Sequence, residues 1–335
     1  MIYGYSMAVI AGFLLTAVTN WTGINTVTGY PLLILFALWL LARLTPFIPI
    51  ANGLAIMFTL DSLFIAGLVI AIGIPVIKAR QWKQIGIISK IALLLIANTV
   101  FYMGAMGYLE QGIFWGNYAG LYLILALVLM MARRVLPFFI EKSCGLTTPL
   151  VNWLWLDYAS LVLFLFFMLS DIINPSDGLT TLLATGLAIL HSLRLYHWHN
   201  KGIWNKPLLW ILYIAYSFMT LGFVLKASVY IFGISAFLPL HAFALGGIGI
   251  MTIGMMSRIS LGHTGRPVDK PPSALFWVFI LMVSAAIIRV IIPIFVSRYY
   301  SLWILLSQLL WLTAFSGFVA VYLPVLMRQN VASDQ

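Results

Sequence analysis

Apolar runs of about 20 residues, separated only by short polar connections, recur along this chain from residue 2 to residue 326. Wound as an α-helix, a run of that length matches the roughly 30 Å hydrocarbon core of a bilayer. Inside that core there is no water to satisfy backbone amides, so each segment must bond within itself. The pattern therefore commits the sequence to an all-α fold, a polytopic transmembrane helix bundle. With 63% of residues hydrophobic and 8% charged, no stretch is polar enough for a separate soluble domain, and residues 1–335 read as a single integral membrane domain.

Eleven helices are expected, at 2–18, 31–41, 53–77, 85–106, 114–131, 151–169, 179–195, 208–225, 232–256, 275–296 and 302–326. The second is short, stops at Arg43, and is kept from continuing by Pro46 and Pro49. Basic residues then orient the bundle. Of the 18 Lys and Arg residues, 14 lie in or beside the connections that follow odd-numbered helices, among them Lys78, Arg133, Arg134, Lys142, Arg194, Lys206, Arg258, Arg266 and Arg328. The even connections carry Glu110, Asp171 and Asp177. By the positive-inside rule the odd connections face the cytoplasm, the C-terminus is cytoplasmic, and Met1 lies outside. A further N-terminal helix would remove the awkwardness of a chain that starts outside without a leader. The formal net charge of +10 thus reports topology in a lipid bilayer, and no nucleic-acid partner is expected. The single cysteine, Cys144, excludes an internal disulfide and cannot form a thiolate metal site alone.

Ionisable residues inside spans are costly and need a partner or a water-filled cavity, which singles out Asp61, Asp157, His241 and Arg289. For Asp157 and Arg289 a buried ion pair or a hydrogen bond to a neighbouring helix is the preferred reading. Asp61 is evenly balanced between that and a functional role, such as the path of a secondary transporter shared with Asp157 and Arg289. On the ninth helix, counted at about 3.6 residues per turn, the face below His241 holds Leu245, Ile248, Thr252 and Met256, with Ala244 and Gly249 at its margins. A stripe of small residues, Ala242, Gly246 and Gly249, lies about 100° away and suits tight helix packing. Packing on that stripe is the plainer reading. The sharper one is a cofactor wall, with His241 as an axial ligand to haem or a ligand to copper. His191 is a weaker version of the same argument. Arg258, roughly 25 Å further along the helix axis, and Arg266 would hold anionic groups of lipids or of a ligand. His263 lies in a connection where a turn or surface role is the default. His197 and His199 flank Trp198, a composition common at the membrane interface. No CxxC, HExxH or Gly-rich phosphate loop occurs in the sequence, so hydrolase, ATPase and zinc-protease chemistry has no support.

Three stretches, GFLLTAVTNWTG at 12–23, ARRVLPFFIE at 132–141 and HAFALGGIGIMTIGMMSRISLGHTGRP at 241–267, resemble the NnrS family, described as haem- and copper-containing bacterial membrane proteins of the nitric-oxide response. The resemblance extends over essentially the whole chain. It implies about twelve helices, haem and copper as cofactors, a place in the bacterial inner membrane, and protection from nitrosative stress. Matching positions are His241, Arg258, His263, Gly265 and Arg266, with Asp61, Arg134, Pro137 and residues 20–23 as further matches. The cofactor-binding candidates are then His241, Gly249, Met256, Arg258, His263 and Arg266, and the metal-ligand candidates His241 and His191. The chain departs from the family pattern at its start, where a histidine-rich stretch and a preceding helix are expected, and at Tyr102 and Tyr213, where many members are expected to have histidine. No turnover reaction follows from any of this.

Overall fold

Eleven helices long and apolar enough to cross a membrane carry the fold in this computed structural model, which describes residues 2–175 and 177–328. They are α1 (Ile2–Thr22), α2 (Tyr30–Phe47), α3 (Gly53–Lys78), α4 (Trp82–Ala105), α5 (Gly112–Cys144), α6 (Leu154–Ile173), α7 (Gly178–Trp198), α8 (Pro207–Phe232), α9 (Phe237–His263), α10 (Ala274–Phe295) and α11 (Ser297–Met327). No strand occurs among the described residues. The number expected from hydropathy holds, but most ends move outward, while α6 and α9 begin later than expected, at Leu154 and Phe237. The helix α5 runs thirteen residues past the expected stop, through Arg133, Arg134 and Pro137. Arginine stems carry their charged heads away from the apolar zone while the backbone stays helical. Similarly α2 tightens into a 3-10 turn at Thr45–Phe47 with Pro46 in its first positions, where a missing N–H costs least.

Contacts along the chain gather into two compact units, Met1–Leu127 and Val128–Gln335. In the first, α3 is the hub, packing on α1, α2 and α4 around Leu14, Ile65, Leu68, Ile72, Ile91 and Leu94. The start of α5 meets α4 backbone to backbone. A Cβ placed on Gly104 would fall 2.3 Å from the amide nitrogen of Ile113, so only glycine permits that approach. Asp61 is buried on α3, held by the Arg43 guanidinium from α2 and accepting from Tyr102 Oη of α4 at 2.8 Å.

In the second unit α8 and α9 are the most enclosed spans, α8 packing on both α7 and α9, while α10 and α11 form a closely packed antiparallel pair. The helices α8 and α9 interlock by exchanging aromatic rings for missing side chains. Phe218 of α8 fills the notch at Gly246, and Phe243 of α9 fills the notch at Gly222; in each a Cβ would come within 2.4 Å of the ring. This is the tight packing that the small residues of α9 suggest. Asp177 caps α7 by accepting the Thr180 amide at 2.6 Å, which holds its carboxyl below the usual carboxylate range. Directly after His241, α9 winds as a π-helix over Ala242–Gly249 before returning to α geometry at Ile250. The i→i+5 bonding of a π segment turns less per residue than an α-helix. Face assignments counted at 3.6 residues per turn therefore do not carry across it: Ile248 and Thr252 are buried while His241, Leu245 and Met256 are half-buried.

Candidate functional site

The inner faces of α6, α7 and α8 bring together a chain of polar side chains that ends on a histidine. Asp157 opens α6 and receives Arg133 Nη1 at 2.6 Å and Arg194 Nη2 at 2.9 Å. Arg194 also donates through Nη1 to Tyr216 Oη at 3.2 Å, and that oxygen lies 2.7 Å from Nδ1 of His191. The spacing of His191 and Arg194 puts both on one face of α7. The His191 ring lies almost parallel to Phe223, with centroids 5.3 Å apart, and is only 2% exposed. Its other nitrogen, Nε2, is buried and has no hydrogen-bond partner among the described residues.

This arrangement fixes the imidazole on one side and leaves it available on the other. Tyr216 Oη accepts from Arg194, and the hydrogen it shares with His191 sits on the phenol or on Nδ1 according to the tautomer; a metal ligand needs it on Nδ1. In that tautomer Nε2 presents a lone pair inside an apolar setting. A hydrogen bond on one ring nitrogen that orients the other is how metal-ligating histidines are positioned.

The remaining candidates are spread along α9 and its neighbours. His241 Nε2 lies 3.1 Å from Tyr300 Oη of α11. Gly249 faces α10, where a Cβ would meet Met282 at 3.0 Å. Arg258 places its guanidinium 4.0 Å from the Phe139 ring centroid and donates to Ser143 Oγ at 3.2 Å, both on α5. Arg266 donates to the Val325 carbonyl at 3.2 Å, and His263 ends α9 in an exposed position. His241 and Arg258 thus sit at opposite ends of one helix. Among the described residues no three His, Cys, Asp or Glu side chains gather as a metal-binding group. His197 packs on the Trp153 ring at 4.5 Å and His199 accepts from Trp204 Nε1 at 3.2 Å, so these two serve the aromatic interface as expected.

Asp61 and Asp157 are both in ion pairs, the structural outcome, while Arg289 reaches, among the described residues, the Ile304 carbonyl at 3.4 Å. Two buried partners escaped the reading of the sequence. Asp171, assigned there to an outer connection, belongs to α6 and meets Lys226 of α8 at 2.7 Å, both fully buried. Tyr216 carried no signal at all; only its position two turns before Phe223 on a helix buried almost all round could have raised it. Tyr213 Oη donates to the Leu195 carbonyl at 2.9 Å, and with Tyr102 on Asp61 both tyrosines at positions expected to hold histidine in relatives act as donors here.

The family model for NnrS protein matches residues 1–330. The chain belongs to the NnrS family. As an NnrS chain with eleven helices long and apolar enough to span, it is a multi-pass membrane protein. No curated protein and no solved structure matches it.

Proposed function

We propose that this NnrS protein acts in the bacterial response to nitric oxide and nitrosative stress, seated in the inner membrane with its C-terminus in the cytoplasm, and that it holds haem through an imidazole of its second unit. His191 carries the reading: a buried ring braced through Nδ1 by Tyr216, Arg194 and Asp157, with Nε2 unpartnered. Haem iron needs only one or two protein ligands, and an axial histidine is its commonest. His241 is the second candidate; its Nε2 would have to leave Tyr300 to ligate. When bound, haem would supply a redox-active iron able to take a diatomic ligand.

Copper fits the residues less well. Imidazole and thiolate suit copper, and the described residues bring no three histidine, cysteine, aspartate or glutamate side chains together. The ion-paired states of Asp61 and Asp157 support a structural role for both rather than a transport path.

The test is the absorption spectrum and metal content of the purified full chain expressed with haem supplied. The wild type is expected to show a Soret band, and His191→Ala to lose most of it while still inserting. A wild-type protein without a Soret band overturns the reading. A His191→Ala variant that loads fully, beside a His241→Ala variant that does not, moves the ligand to His241.

A further inference from the structure

Arg289 lacks the carboxylate that four other cations within the spans have. Arg43 meets Asp61, Lys226 meets Asp171, and Arg133 and Arg194 share Asp157. Among the described residues no carboxylate lies within ion-pair distance of Arg289; its guanidinium reaches only a backbone carbonyl of α11, at 3.4 Å. It is half-buried in the last turn of the regular part of α10, inside an apolar span, where an uncompensated charge is costly.

What surrounds it is a set of donors. Its Nη1 meets the Ile304 carbonyl one turn of α11 beyond Tyr300, whose Oη lies 3.1 Å from Nε2 of His241. Three elements converge to place them: α9 brings His241, α10 brings Arg289 and α11 brings Tyr300, with α10 packed against both of the others. Ser307 Oγ donates to the Ala285 carbonyl at 2.9 Å and so pins α11 to α10 one turn from Arg289. A planar guanidinium fork matches two oxygens of a tetrahedral or planar oxyanion, and the hydrogen-bonded pair of His241 and Tyr300 beside it adds a further donor.

We propose that His241, Arg289 and Tyr300 form a binding site for a phosphate-type oxyanion at this end of the second unit, supplied either by a phospholipid headgroup or by a free anion. Of its three residues only His241 is also a haem-ligand candidate, so the variants that test the site are placed at Arg289 and Tyr300. It goes beyond the proposed function in giving the half-buried guanidinium its missing counter-charge.

Thermal unfolding of the full chain in neutral detergent tests the site, with inorganic phosphate and dihexanoyl phosphatidylglycerol as probes at fixed ionic strength. Wild type is expected to gain stability saturably with at least one probe. Arg289→Gln should weaken that response roughly tenfold or more, as loss of a charge-assisted hydrogen-bonding group does. Tyr300→Phe and Arg289→Lys, which keep packing and charge respectively, should each weaken it less and carry the test if Arg289→Gln does not fold. A response to both probes assigns a free-oxyanion site; a response to the lipid alone assigns the headgroup. A wild type indifferent to both probes, or variants whose responses equal the wild type's, overturn the site. Soret absorbance recorded on the same samples reads haem loading separately, so failure of one reading does not pass for failure of the other.

Discussion

At the scale of single residues, the second unit places full charges where neither lipid nor water can screen them. Removing one partner of the Asp171 and Lys226 pair leaves the other buried without its counter-ion. Asp171→Ala is therefore expected to cost about 3–5 kcal/mol, read as a lower unfolding midpoint in detergent, while Asp171→Leu combined with Lys226→Met should recover most of it. If the double variant is no better than the single one, charge is not the reason for the pair. His191 behaves differently because its support can be loosened without removing the counter-ion of a buried charge. Tyr216→Phe removes the brace on Nδ1 and is expected to shift the Soret band and lower haem retention in a protein whose unfolding midpoint stays near that of the wild type. The histidines were legible as candidates because histidine is rare here, but their settings were not. Asp157, Arg194 and Tyr216 come from three separate helices, and nothing in local periodicity announces that they meet.

At the scale of elements, the number and type of helices could be read directly, since apolar length is what a bilayer selects. Their ends could not. Hydropathy stops at the first charge, whereas helical hydrogen bonding continues through it, which is how Arg133 and Arg134 came to lie within α5 and Asp171 within α6. The small residues of α9 were read correctly as a packing surface, yet their angular relation to His241 was not, because nothing in AFALGGIG distinguishes π from α winding. The reciprocal notches make a sharp expectation. Gly246→Ala and Gly222→Ala each drive a methyl into an aromatic ring and should cost about 1–3 kcal/mol, whereas Gly262→Ala, with open space around it, should leave the unfolding midpoint unchanged.

At the scale of the whole molecule, the basic residues supply the expectation that can be tested on cells. In a Cys144→Ser background, Glu110→Cys should react with a membrane-impermeant maleimide added to cells whose outer barrier has been opened, and Lys270→Cys only after the inner membrane is permeabilised. The reverse pattern would invert the proposed orientation. Length along α9 enters the same geometry. Because its π turns hold more residues than regular winding accommodates, a one-residue deletion within Ala242–Gly249 would act as a repair of the helix rather than a loss to it. Rewinding would largely offset the lost rotation and keep Arg258 and His263 near their angle to His241, so the relation between the two ends of this helix is written in residue count as well as residue identity.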